Sequence, residues 1–110
     1  MATGTIVTNA FRKSNTVSGN TAITIPSTAI EIYVQVMTNA SHIYQFALCL
    51  DAITDSNPHY YRTGAFVNTT QWDSITLSIT KTTSGINIVT SLVYINNAQV
   101  TNATTTVYYR

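Results

Sequence analysis

The chain has 110 residues, enough for one domain that buries roughly 60–70% of its unfolded surface without disulfides or metals. Charged residues make up 8% of it, against about 25% in an average soluble domain, and the formal net charge is +1. That balance argues against a basic nucleic-acid surface and an acidic solvating tail. A single cysteine excludes an internal disulfide and any multi-cysteine zinc site, and no apolar run approaches the ~20 residues of a bilayer span.

The first nineteen residues are sparse in apolar positions (Ile6, Val7, Phe11, Val17) and carry Arg12 and Lys13. They read as an arm or a first edge strand ahead of a domain over 20–110. The opening MATGTIVTNAFRKS has no apolar stretch of the secretory kind, so synthesis in the cytoplasm without a signal is expected.

From there the hydrophobic period is 2. TAITIP sets Ile23 and Ile25 on one face, and Pro26 ends the run or marks an edge. In IEIYVQVMT, Ile30, Ile32, Val34 and Val36 point one way and Glu31, Tyr33, Gln35 and Met37 the other, which is a strand with one face in a core. After the turn at 38–41, HIYQFALCL places Tyr44, Phe46, Leu48 and Leu50 opposite Ile43, Ala47 and Cys49. Asp55-Ser56-Asn57-Pro58 is a turn cluster before HYYRTGAFV, where Gly64 signals a bulge or a close backbone approach.

DSITLSITK turns Ile75, Leu77 and Ile79 inward and Thr76, Ser78 and Thr80 outward. Thr82-Thr83-Ser84-Gly85 and Asn96-Asn97 are short hairpin connections, so the C-terminal third predicts a meander of 73–81, 86–95 and 100–109. No segment carries a helical stripe. Seven or eight strands with turns every 8–12 residues predict an all-β antiparallel sandwich, jelly-roll-like.

Two strands break the one-face rule. HIYQFALCL is apolar on both sides, and in INIVTSLVYI the set Ile86, Ile88, Leu92 and Tyr94 opposes Val89, Val93 and Ile95. The outer face of a lone sandwich should be polar. A second cover is therefore expected, from a subunit interface or from the N-terminal segment folded back.

Chemistry is thinly represented. His42 and His59 stand at turn boundaries, outside any recognised ligand spacing, and read as surface or turn histidines. Cys49 lies in the most apolar strand, where a thiol acts as a small hydrophobe. Glu31, Asp51, Asp55 and Asp73 are too scattered for a carboxylate pair across a cleft, and DAITDSN reads as a turn rather than a calcium loop. No catalytic residue, metal ligand or cofactor is assigned. The three Asn-X-Ser/Thr sequons, at Asn39, Asn68 and Asn102, match the number chance supplies at this composition.

Binding is the better prospect. Tyr60, Tyr61 and Arg62, with Trp72 and Asp73, combine aromatic rings with planar polar groups near expected loop tips, a mixture suited to the C–H faces and hydroxyls of a sugar. Single-stranded nucleic acid would want positive charge that the chain lacks.

The segments TIPSTAIEIYVQVM, HIYQFALCL, YRTGAFVNTTQWDSITLSIT and TNATTTVYYR, with the MATGTI start and the closing Tyr108-Tyr109-Arg110, resemble the small β-sandwich heads at the tips of tailed-bacteriophage tail or head fibres. The likeness spans about residues 20–110 in the order and character of its segments. It implies a virion structural protein of fibre-head or decoration type, homotrimeric, in contact with other virion proteins and binding host surface carbohydrate. Such heads normally follow a shaft or attachment domain, and here only about twenty residues stand in that place. A cellular lectin or carbohydrate-binding module is the alternative. An enzyme would require His59, Asp73 and Arg62 to converge in one cleft.

Overall fold

The computed structural model describes residues 11–38, 42–66, 68–70, 72–95, 98–99 and 103–110. Its strands are β1 (Arg12–Ser18), β2 (Ile23–Ile25), β3 (Glu31–Met37), β4 (Ile43–Cys49), β5 (His59–Phe66), β6 (Trp72–Thr82), β7 (Gly85–Ile95), β8 (Ala98–Gln99) and β9 (Thr104–Tyr109). Among the described residues the one helical piece is a 3-10 turn at Leu50–Ala52, and no helix is long and apolar enough to cross a membrane.

The strands form two antiparallel sheets packed as a sandwich. The first has the order β1-β9-β3-β4; the second has β2-β7-β6-β5, with β8 added beside β7. The chain changes sheets between β1 and β2, β2 and β3, β4 and β5, and β8 and β9, while the β3–β4 hairpin and the β5–β6–β7 meander stay within one sheet. β1 lies inside the stretch read as an arm or edge strand and is the edge of the first sheet, paired to β9.

The core is made of the inward rows that the period of 2 picks out. Ile32, Val34 and Val36 of β3 meet Ile75, Leu77 and Ile79 of β6 and Ile86 and Ile88 of β7, all buried. Each such side chain stabilises the fold by roughly 1.5–3 kcal/mol. Ile30 is a correction: it precedes β3 instead of joining the inward row, is half exposed, and gives its N–H to the Arg110 carbonyl at 2.8 Å.

In β7 a bulge reassigns the two apolar rows, with Val89 on the outer face opposite Ser78. Ile75 pairs with Val93 and Thr76 with Leu92, but Leu77 pairs with Thr90, so Ser91 is an extra residue in β7. Such a bulge shifts the alternation by one. Ile86, Ile88 and Thr90 face the core before it, and Val93 faces the core after it. The Ser91 hydroxyl donates to the Thr76 carbonyl at 3.1 Å, giving the bulge a local partner. Val93 thus needs no second cover. In β4 the outward Ile43, Ala47 and Cys49 are all exposed.

The last strand departs from the expected meander. Beyond β7 the edge is taken by β8, through Tyr94–Gln99 and Ile95–Ala98 pairs, and β9 crosses to the first sheet between β1 and β3. There Val107 and Thr105 are buried, and the Thr105 and Thr90 hydroxyls meet at 2.6 Å across the sandwich.

Gly64 marks a close approach, since the β5–β6 register runs unbroken from His59–Ile79 to Phe66–Trp72. A Cβ there would stand 2.2 Å from the Asp73 carbonyl oxygen and 3.2 Å from the Ser74 Cα. Both are backbone atoms that can move only if the strands part. Gly64→Ala is therefore expected to lower unfolding free energy by about 1–3 kcal/mol, measured as a lower urea midpoint at unchanged slope.

Candidate functional site

Neighbouring residues on a strand point to opposite faces, and that parity divides the five residues singled out in β5 and β6. Tyr60 and Arg62 turn outward, and Trp72 joins them on the same face of the second sheet. Phe66, which the sequence reading did not select, stands directly opposite Trp72 in the register. Tyr61 turns inward and packs against the core. Asp73, opposite Ala65, is 2% exposed. Tyr61 and Asp73 are therefore not available to a ligand on that face. The Arg62 Nε donates to the Thr76 hydroxyl at 3.1 Å, laying the guanidinium stem along the sheet.

Asp73 has a structural partnership that neither its turn-like sequence setting nor the sugar reading suggested. Its Oδ2 accepts the Tyr44 hydroxyl at 2.5 Å and lies 2.7 Å from the His42 Nδ1. Tyr44 is on β4 and His42 just before it, so one carboxylate in the second sheet binds two side chains of the first. His42 is consequently more than a surface histidine, although its side chain remains 38% exposed. Burial, and then the Asp73 carboxylate, push the Tyr44 hydroxyl from the ordinary 10 up to about 12.

His59 is engaged elsewhere, with its Nε2 2.8 Å from Asp55. The Asp55 carboxyl also accepts the Asn57 N–H at 2.9 Å, closing the turn read at 55–58. These contacts, His59 first, hold the Asp55 carboxyl below the usual carboxylate range. His59, Asp73 and Arg62 thus do not converge. Among the described residues no group of three or more His, Cys, Asp or Glu side chains is placed to hold a metal ion.

The outer face of the first sheet carries a hollow of about 540 Å³. Tyr108, Tyr33 and Ala47 lie side by side across β9, β3 and β4, and the two tyrosine rings sit 6.2 Å apart, tilted by 54°. Ala47 is only a methyl beside Tyr33, and Cys49 is small and exposed, so that flank of the ring is open. Phe11 closes the other side, with the Arg110 guanidinium 4.5 Å above its ring. Arg110 also donates to both Glu31 oxygens, at 3.1 and 3.3 Å, and Gln35 completes the polar lining. Of these, Tyr33, Gln35 and Glu31 were legible as outward residues of one strand; Ala47 and Tyr108 join them through β-pairing, and Phe11 from its place just before β1.

Tyr44→Phe removes a donor to a buried carboxylate and is expected to cost about 1.5–3 kcal/mol, read by urea unfolding at pH 7. Because the folded state holds the Tyr44 proton more tightly than the unfolded chain, this contribution is complete below pH 10. It is lost as pH rises from 10 toward 12, so wild-type stability should fall more steeply there than that of the Phe variant.

No family profile matches the chain, and no curated protein and no solved structure matches it significantly.

Proposed function

We propose that this chain is a non-enzymatic β-sandwich protein of the virion fibre-head or decoration type, which assembles with copies of itself and presents a face to host carbohydrate. The observation that carries this reading is the outward row on β5 and β6, where Phe66 is 77% exposed, Tyr60 67% and Trp72 37%. The outer face of a lone sandwich favours polar residues. Taking about 200 Å² for a fully exposed aromatic side chain, the three offer roughly 360 Å². That is about half of the ~800 Å² each partner gives to a stable interface. Arg62, Ser74 and Ser78 share the face and supply a polar rim.

A second copy is the occupant argued for, because a net charge of +1 sets little repulsion between copies. The fibre-head resemblance of residues 20–110 supports a trimer and a place on a virion. A charge-poor surface rich in Thr and Asn suits a particle exposed to varied salt, since little of its stability depends on screened charges. The absence of convergence among His59, Asp73 and Arg62 supports a binding role over an enzymatic one. A cellular lectin is the second reading, favoured by the fact that one chain lines the hollow of the first sheet without help from a partner.

Light scattering behind a sizing column tests the assembly. A mass near three times the 12.0 kDa of one chain, persisting below micromolar concentration, is expected, with a shift toward monomer in the Tyr60→Ser, Phe66→Ser double variant. A monomeric wild type overturns the assembly and puts the lectin reading first.

A further inference from the structure

We infer that the hollow on the outer face of the first sheet binds an uncharged saccharide, stacked on Tyr33 and hydrogen-bonded by Gln35 and Glu31. The inference rests on the carbohydrate clause of the proposed function and moves the site away from Tyr60, Arg62 and Trp72 to the opposite face of the sandwich.

Size and shape come first. About 540 Å³ lies within the ~300–1,000 Å³ of small-molecule sites. At 6.2 Å the Tyr33 and Tyr108 rings pack against each other, and together they give an apolar platform on which a pyranose can lay its C–H face. Ala47 offers only a methyl beside the half-buried Tyr33 at the β4 side.

Charge then selects the ligand class. Glu31 and Arg110 neutralise one another at the rim, and Arg110 is further occupied over Phe11. The hollow therefore offers neither a net cation to draw phosphate or carboxylate nor a net anion to draw an amine. What it does offer is uncharged and two-sided: the Gln35 amide gives donors and an acceptor, the tyrosine hydroxyls do both, and the Glu31 carboxylate keeps lone pairs beyond those used by Arg110. Such a set matches hydroxyl groups, each of which donates and accepts. A purely aliphatic ligand would leave the Gln35 and Glu31 groups desolvated without partners, at a cost.

The strands supporting the site are held at the Glu31 end. The Arg110 carbonyl accepts the Ile30 and Glu31 N–H groups at 2.8 and 3.1 Å, and the Arg110 N–H returns to the Glu31 carbonyl at 3.1 Å. The Glu31–Arg110 corner is thus fixed by backbone bonds before any ligand arrives, which reduces the ordering cost of binding.

Ligand-observed NMR with glucose, galactose and N-acetylglucosamine tests this, with sialic acid and octanoate as charged and aliphatic probes. At least one neutral sugar should bind, with affinity falling tenfold or more in Tyr33→Ala and severalfold in Gln35→Ala. Thr83→Ala, at an exposed position of the 82–85 hairpin, should leave it unchanged, and each variant's thermal transition serves as the folding control. Should Tyr33→Ala fail to fold, Tyr33→Phe and Gln35→Ala decide, the former keeping the stacking surface and most of the affinity. Binding lost on Trp72→Ala at unchanged assembly mass, preference for octanoate or sialic acid, or no binding of any neutral sugar overturns the inference. Light scattering on the same samples separates the ideas. A trimer that binds no sugar sinks this site and the carbohydrate clause and leaves the assembly. A trimer whose sugar binding survives Tyr33→Ala sinks this site alone, and a monomer that binds sugar sinks the assembly alone.

Discussion

Between the sheets, rows of isoleucine, valine and leucine from β3, β6, β7 and β9 close over one another, and every other feature of the molecule follows from keeping those rows inside. Alternation sends half of each strand inward, so the other half is committed to two outer faces. With so few charges available, those faces are covered by Thr, Ser and aromatic residues. The hollow on one face and the aromatic row on the other are consequences of that shortage. A chain with ordinary charge content would have placed Lys and Glu at Tyr60, Phe66 or Ile43, and neither face would stand out.

The polar interior is small and fully engaged. Asp73 gathers His42 and Tyr44, and Thr90 meets Thr105. Among the described residues no buried side-chain nitrogen or oxygen lacks a hydrogen-bond partner. Both contacts run from one sheet to the other, so they set how the sheets register against each other, something a purely aliphatic interface specifies loosely. A buried charge is a poor source of net stability but is sensitive to losing a partner. The Asp73 cluster therefore fixes the geometry of the sandwich at the β4–β6 corner more than it adds to its depth.

Separating the two outer faces gives the proposed function a simple layout. An aromatic row on the second sheet can be covered by another copy while the hollow on the first sheet remains open to a ligand. The close β5–β6 approach at Gly64 matters to that layout, because it lies midway along the row between Arg62 and Phe66 and puts no side chain there.

Alternation and turn chemistry were local properties, and they were legible: the strands, the inward residues of β3 and β6, the hairpin at 82–85, the Asx turn at Asp55 and the tight spot at Gly64 all follow from residue type and a period of 2. Three things depended on contacts between distant residues. The bulge at Ser91 moved Val93 to the core side, and one inserted residue leaves no mark in composition. The crossing of β9 to the first sheet was decided by which edges were open, which no segment reports about itself. The partnership of Asp73 with Tyr44 and His42, like the meeting of Phe11, Tyr33 and Tyr108 around one hollow, joins positions dozens of residues apart. Local periodicity states which face a residue takes; only the packed sheets determine what it faces.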